Sequence, residues 1–573
     1  MKTKFTFILL IIPYCLFGAS ATEDAVTFQL QKAEERAAAV EDIQPKSEDV
    51  MLKLKGTAKQ LASIPKGEKP CFHIKPENIS LKGEGAGDFT YVLKEVLSKL
   101  SYAKEGECVG IQGINAIFAA MQNRIIEDGY VTTRVIVAPQ DLSGGKLVYT
   151  LIPGKVKQLK HTNEQNKTSL LNAMPLEKDE LLNLRDIEQG LENLRRVPTA
   201  KALMQITPSN KLGYSDILID YSQATPFRVT FSVDDAGSKS TGRIQGGTTI
   251  AWDNPLGLND IFYFGFTRDL ADREVTHLDS QTQEGGSNNR VIHYSIPWRY
   301  WLLSFNESKY NYEQKVAGAS QIYTYSGKVL SRDIALSRVL YRDGTSKFSM
   351  TLKGWERFSD NFIDDAEITV QRRKTAGYEV GIDYRKYYDR NVLDLRAYFK
   401  KGTGARGALR APEEAFGEGT SRMEIYTLGA SFFAPFAAYE KNFAYISSLK
   451  FQYNGTQLTP QDKLAIGGRY TVRGFDGEYT LSGNKGWISR NELEWSYLPA
   501  HKFYFALDAG HVSRESTDSE VSKMLIGSAL GLRGTFKKWG SLNYDLFLGT
   551  PIKKPDFLPG NDIVGGFSVI YSF

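Results

Sequence analysis

From Phe227 to the last residue the sequence is a succession of short runs in which apolar and polar side chains alternate. Phe227, Val229, Phe231 and Val233 alternate with Arg228, Thr230, Ser232 and Asp234, and the period returns in Asp260 to Phe266, Asn391 to Tyr398, Tyr445 to Tyr453 and Gly565 to Phe573. Successive side chains of a strand point to opposite faces, so a period of two gives each segment one apolar and one polar side. Many such strands in series, separated by polar, Gly-containing connections, fit a sheet closed with its apolar side toward lipid and its polar side around a watery lumen. At about 10 residues per crossing plus turns, residues 226–573 suit roughly 14 to 18 antiparallel strands. The mean hydropathy of -0.33 looks soluble because alternation cancels in an average. The 31 Phe and 30 Tyr beside 51 Gly suit a barrel with aromatic girdles.

The N-terminus reads as a secretory leader over residues 1–21. Lys2 and Lys4 precede an apolar run from Phe5 to Phe17, followed by Ala19-Ser20-Ala21, with cleavage expected before Thr22. No later stretch approaches the roughly 18 uninterrupted apolar residues of a spanning helix. The net charge of +5 includes the two leader lysines, and so weak a balance points neither to nucleic acid nor to an anionic membrane surface. With Cys15 in the leader, Cys71 and Cys108 remain as an even pair in an oxidising compartment, and one disulfide is expected. The six histidines have no metal-ligand spacing, and neither a nucleophile elbow nor a phosphate-cradling loop is present, so no catalytic residue, metal or cofactor is expected.

Between leader and barrel the composition changes three times. Residues 22–42 are rich in Ala, Glu, Gln, Lys and Arg, with Val26, Leu30, Ala33, Ala37 and Val40 at helical spacing. Roughly 18 residues would make a helix about 27 Å long, close to a bilayer core in length and far too charged to face lipid. A surface helix and a helix inside a polar lumen fit this pattern equally. Residues 43–69, with Lys, Ser, Gly and Pro and no sustained period, read as a linker. Residues 70–141 and 142–222 then alternate strand and helix signals as two small α+β units. The first has helices through Phe89 to Leu97 and Ile114 to Ile125 and a strand at Thr133 to Val137; Leu147 to Leu151 is expected to open the second.

Inside the barrel region, Gly467-Gly468-Arg469-Tyr470-Thr471-Val472-Arg473-Gly474-Phe475 sets an Arg and an aromatic among glycines. A basic loop there needs an acidic partner. In a later strand, Leu507-Asp508-Ala509-Gly510 offers a carboxylate that would point into the same lumen and pair with Arg473. The chain ends on Phe573, with Phe567, Val569 and Tyr571 on the same face.

Together Val472, Arg473, Gly474 and Phe475, with Asp508, Gly510 and the C-terminal aromatic row, resemble the two-partner secretion transporters, over essentially the whole chain beyond the leader. Arg342 to Trp355, Asn361 to Ile363, Tyr384 to Tyr388 and Arg490 to Glu494 add to the likeness. Ala506 departs from it, standing where the wider superfamily usually has Phe or Gly. The resemblance implies a sixteen-stranded outer-membrane β-barrel, two polypeptide-transport-associated (POTRA) domains in the periplasm and an N-terminal plug helix. It also implies a C-terminal strand read by the barrel-assembly machinery. The implied function is export of one large exoprotein, recognised by its N-terminal secretion domain: a contact-dependent inhibition toxin, a hemolysin or an adhesin. A monomer in outer-membrane lipid is expected, and a barrel-assembly insertase or a passive porin is the alternative.

Overall fold

A computed structural model describes residues 28–29, 31–45, 49–52, 68–100, 108–278, 281–513 and 523–573. The expected leader lies outside these residues, as do Val26 and Leu30 of the N-terminal segment.

Sixteen antiparallel strands close a barrel, each paired with its sequence neighbour, the first (Phe227–Asp234) also with the last (Val564–Ser572). The two-residue strand Ala366–Glu367 only decorates the end of Ser346–Ile363. Alternation does what the sequence reading requires: Phe227, Phe231 and Val233 are exposed on the outer wall, while Thr230 is buried and Arg228 pairs with Asp253 at 2.9 Å inside. Phe567, Val569 and Tyr571 share the outer face, being paired with exposed Leu546 or with Val233 and Phe231. The Phe573 ring lies 6.1 Å from that of Phe231.

The connections at the two rims differ. At one rim all but one of the turns, that at 254–260, take two or three residues, as at 299–300, 389–390, 439–440 and 499–500, where Arg299, Asp389, Tyr439, Glu440 and Ala500 take positive φ. At the other rim most connections are longer, from 318–321 up to the longest over 455–484. Short turns at the periplasmic rim and long loops outside are the rule for such barrels. Phe227, which follows the soluble domains directly, starts at the short-turn rim.

The first soluble domain has a three-stranded sheet in the order Ile79–Lys82, Leu147–Ile152, Arg134–Ile136, covered by helices Thr90–Lys99 and Ile111–Glu127. Phe89, Ile117, Met121, Ile125 and Tyr149 fill its core. Cys71 and Cys108 form a disulfide that ties two short paired strands beside it. Here the structure corrects the expected boundary between residues 141 and 142. Leu147–Ile152 is the central strand of the first sheet and does not open the second unit, so the domains part at Pro153-Gly154. The reason is topological: this strand pairs in parallel with Ile79–Lys82, a long-range partner that local pattern cannot reveal.

The second domain orders Lys155–His161, Tyr214–Gln223 and Ala200–Pro208 in one sheet under helix Leu184–Arg195. Asn183 caps that helix by accepting from the Arg185 amide at 2.8 Å. The helix lies against the periplasmic rim. Asn193 donates to the Arg299 carbonyl at 2.7 Å, Arg342 donates to Gln189 at 2.8 Å, and the Tyr300 hydroxyl donates to Asp186 at 2.5 Å.

Burial of Asp186 at this joint outweighs the Tyr300 hydrogen bond, and its carboxyl is pushed up to about 6 from the usual 3.8. A raised folded pKa means that the docked state holds its proton longer than a free domain would. The contribution to docking is therefore complete below about 4 and lost as pH rises through about 6. Hydrogen exchange of Leu184–Arg195, corrected for intrinsic rates, should show stronger protection at pH 5 than at pH 7.5, and Asp186→Asn should remove the difference. An unchanged pH response in that variant would move the titration to another group.

A candidate gate in the barrel lumen

Among the described residues two elements enter the lumen, one from each rim. From the outer rim the connection 455–484 folds inward, its flanks Leu464–Ile466 and Leu481–Gly483 paired as a small hairpin. Val472 and Phe475 are buried with Leu464, Ile466, Leu481, Ile488, Val512, Leu525 and Leu558 in an apolar cluster that seats the loop against the wall. The approach is close enough to demand glycine. Gly474 has φ +102, and a Cβ there would lie 2.4 Å from the Thr550 carbonyl oxygen. A Cβ on Gly510 of the wall would come within 3.1 Å of Val472.

The loop presents Arg473 to Asp508, and the two meet as an interlocked pair. The Arg473 backbone amide donates to Oδ2 at 3.0 Å, Nε donates to the same oxygen at 2.7 Å, and Nη2 donates to Oδ1 at 2.9 Å. Arg473 is 5 % exposed and Asp508 not at all. The free Nη1 of Arg473 bonds Glu492 on the neighbouring strand Lys485–Leu498. Glu492 also accepts from Arg533 at 2.9 Å, and Arg533 reaches Glu494 at 3.1 Å, so the pair is the centre of a charge network over three strands. The sequence pairs Arg473 with Asp508 and counts Glu492 and Glu494 only toward the family likeness; neither they nor Arg533 are expected from it to join the pair. The signal was the inward parity of residues 490, 492 and 494, legible only once the strand register is known. Ala506 also faces inward, buried against Tyr504, Ala529 and Phe547, and leaves the Asp508 geometry intact.

The second element is the N-terminal helix, described over 28–29 and 31–42. It stands beside the loop within the ring of strands. Arg36 pairs with Asp234 at 3.0 Å and Glu34 with Arg357 at 2.5 Å, and Gln29 accepts from the Tyr310 hydroxyl at 3.1 Å. Ala33 packs among Tyr310, Tyr312, Tyr325 and Val329; Val40 packs with Ala251, Tyr263 and Val291. These contacts reach seven successive strands from Phe227–Asp234 to Ser346–Ile363. Between helix, loop and wall is a cavity of about 510 Å³ lined by Arg36, Arg473, Glu492, Tyr504 and Arg533.

Beyond the helix the chain is not a plain linker, and the reading of 43–69 needs correction at 49–52. Asp49 reaches the periplasmic rim, paired with Lys347 and Arg385, each at 2.9 Å, and accepting from the Tyr387 hydroxyl at 2.8 Å. The neighbouring cations hold its carboxyl well below the ordinary carboxylate range despite its burial. Val50 is 6 % exposed and belongs to the core of the second soluble domain. Its amide donates to Glu192 at 3.0 Å, its carbonyl accepts from Arg342 at 2.9 Å, and the Leu52 amide donates to Glu188 at 2.6 Å. The segment is thus clasped between domain and barrel.

Removal of Asp508 would leave the buried Arg473 with Glu492 alone, and removal of Arg473 would leave the buried Asp508 with Arg490 at 3.8 Å as its nearest cation, a loss of up to roughly 3–5 kcal/mol that exceeds that of an exposed bridge. Arg473→Ala and Asp508→Ala should each loosen the loop, and the double variant should cost much less than the sum of the two. Protease cleavage within 455–484 of the folded, heat-modifiable barrel measures this. Additive effects would show that the two charges act separately.

Comparison with known proteins agrees with this architecture. A family model described as haemolysin secretion/activation protein ShlB/FhaC/HecB matches residues 213–534, and POTRA models match residues 78–154 and 155–208. The outer membrane transporter CdiB-2 of Burkholderia pseudomallei strain 1026b is 33% identical over 522 residues, covering 88% of this chain and 87% of the relative. The hemolysin transporter HpmB of Proteus mirabilis is 25% identical over 512 residues, with 87% of each chain covered. The solved structure of CdiB from Acinetobacter baumannii superposes with a TM-score of 0.81 at 28% identity, covering 96% of this chain and 99% of that one. With barrel, tandem domains and lumen loop in place, the chain belongs to the ShlB/FhaC/HecB family of outer-membrane two-partner secretion transporters.

Proposed function

We propose that this chain exports one large partner protein through its barrel, with the helix 28–42 as a removable plug and the 455–484 loop as a fixed lumen element. The observation that carries the reading is the contrast between their attachments. The loop is seated by an apolar cluster and the Arg473 network; among its described residues the helix is held by ion pairs and hydrogen bonds, with Ala33, Ala37 and Val40 packing against the wall. Ionic partners can be replaced by water when the helix withdraws, whereas an apolar cluster must be exposed to come apart. Val472, Arg473, Gly474 and Phe475 with Asp508 and Gly510 would keep the pore shaped during passage. The row Phe567, Val569, Tyr571 and Phe573 would serve barrel assembly through the membrane-insertion machinery. No step requires catalysis, a metal or a cofactor.

The partner arrives as an unfolded chain on the soluble domains, whose exposed strand edges suit main-chain pairing. Ala200–Pro208 is such an edge. Thr199 and Ser209 bond Ala224 and Tyr214 of the neighbouring strand, and with the antiparallel register this turns the main-chain groups of Met204 and Ile206 outward. The greater likeness to the Burkholderia CdiB-2 transporter than to HpmB favours a contact-dependent inhibition protein as cargo over a hemolysin or an adhesin.

Co-expression with a candidate large exoprotein that carries an N-terminal secretion domain tests the reading. Met204→Pro should reduce secretion about tenfold or more by removing an outward donor, while Met204→Ala, which loses the same side-chain packing, should secrete near the parent level. Equal secretion by the proline variant would place cargo capture elsewhere.

A further inference from the structure

The outer wall carries a group of charges that export does not use. On strand Gly286–Trp298 the outward side chains run Trp298, Ile296, Tyr294, Ile292 and then Arg290; on its neighbour Trp301–Ala317 they run Trp301, Leu303, Phe305, Glu307 and then Lys309. Trp298 and Trp301 flank the periplasmic turn. Eight residues at about 3.3 Å each, tilted by about 40°, put Arg290 and Lys309 roughly 20 Å above those tryptophans, near the outer edge of the apolar band.

Arg290 and Lys309 are directly opposite each other in the register. Like charges so placed repel, with Cβ atoms about 5 Å apart. Arg268 lies diagonally beside Arg290 on strand Ile261–Ala271, and Lys328 diagonally beside Lys309 on strand Ile322–Arg342. All four are exposed, and among the described residues none has a carboxylate within ion-pair distance. Of the outward acids beside the group, Glu307 is engaged by Arg332 at 2.5 Å, and Asp360, directly opposite Lys328, sits 4.0 Å from Arg372. Asn288 and Asn311, bonded to each other at 2.9 Å, fill the positions between Arg268 and Lys328. Aromatic rings border the group: Phe266 is 6.0 Å from the Arg290 guanidinium and Phe362 is 5.7 Å from the Lys328 ammonium.

We infer that Arg268, Arg290, Lys309 and Lys328 form a binding site for the phosphate groups of a phosphorylated glycolipid of the outer leaflet, whose acyl chains lie along the apolar wall below. A phosphate between Arg290 and Lys309 turns a repulsive pair into two charge-assisted contacts, and its depth matches a headgroup rather than a soluble anion. The paired cations on the lipid face would then fix how this sector of the barrel sits in the membrane.

The test uses the full chain purified in a neutral detergent and titrated with lipid A, dephosphorylated lipid A or inorganic phosphate, followed by native mass spectrometry and thermal unfolding. Lipid A should bind and raise the melting temperature, and Arg290→Gln with Lys309→Gln should weaken binding at least tenfold. That double variant should be no less stable than the parent without lipid, since it removes a like-charge pair. Arg338→Gln should bind as the parent does, because that exposed cation lies near the periplasmic girdle, 4.8 Å from the Trp301 ring. The inference is overturned if the double variant binds lipid A unchanged, if the dephosphorylated lipid binds equally well, or if inorganic phosphate alone reproduces the stabilisation.

Discussion

Charge enclosed in a polar lumen must be paired, and that constraint organises the interior of this barrel. A wall of alternating side chains necessarily turns a polar surface inward, so whatever occupies the lumen is held by directional ionic and hydrogen bonds. Such bonds fix register without supplying the large net stabilisation of an apolar core. The N-terminal helix uses this: Arg36, Glu34 and Gln29 each find a wall partner, and among its described residues Ala33, Ala37 and Val40 add apolar contacts. The loop 455–484 adds to the Arg473–Asp508 pair the apolar cluster around Val472 and Phe475, which makes it part of the wall. The proposed function rests on this difference, with the helix as the removable element and the loop as the fixed one.

The clasp at 49–52 joins the removable element to the domains that receive cargo. Asp49 is tied to Lys347 and Arg385 of the rim, while Val50 lies in the core of the second soluble domain beneath helix Leu184–Arg195. Arg342 bonds the Val50 carbonyl, Gln189 and Glu192 together, so rim, domain and N-terminal segment share one arginine. A pull on the helix is felt at this joint, and movement of the second domain is felt by the helix. On the proposed function, this joint is where cargo docking and plug release would be linked.

Much of this was legible in the sequence because alternation is a local signal: two residues on, the side chain returns to the same face. The barrel and its lipid-facing row at Phe567 to Phe573 could be read in this way, whereas Arg473 and Asp508 were legible as a basic residue in a Gly-rich loop and a carboxylate in a later strand. The disulfide followed from compartment and an even count. What escaped reading depends on long-range pairing. Leu147–Ile152 carries the pattern of any buried strand, and only its parallel pairing with Ile79–Lys82 assigns it to the first domain. Glu492 and Arg533 are ordinary charges until the register places them beside Arg473. Val50 sits in a stretch without period, since a four-residue clasp has no room to show one.

The central claim is that the helix occupies the lumen at rest and must leave for export. Ala33 and Val329 lie in one buried cluster between helix and wall. Cysteines at both positions, bridged by a short bifunctional maleimide in intact cells, should stop cargo export while the barrel remains inserted and heat-modifiable, and each single cysteine treated alike should export normally. Undiminished export through fully bridged transporters would contradict the account.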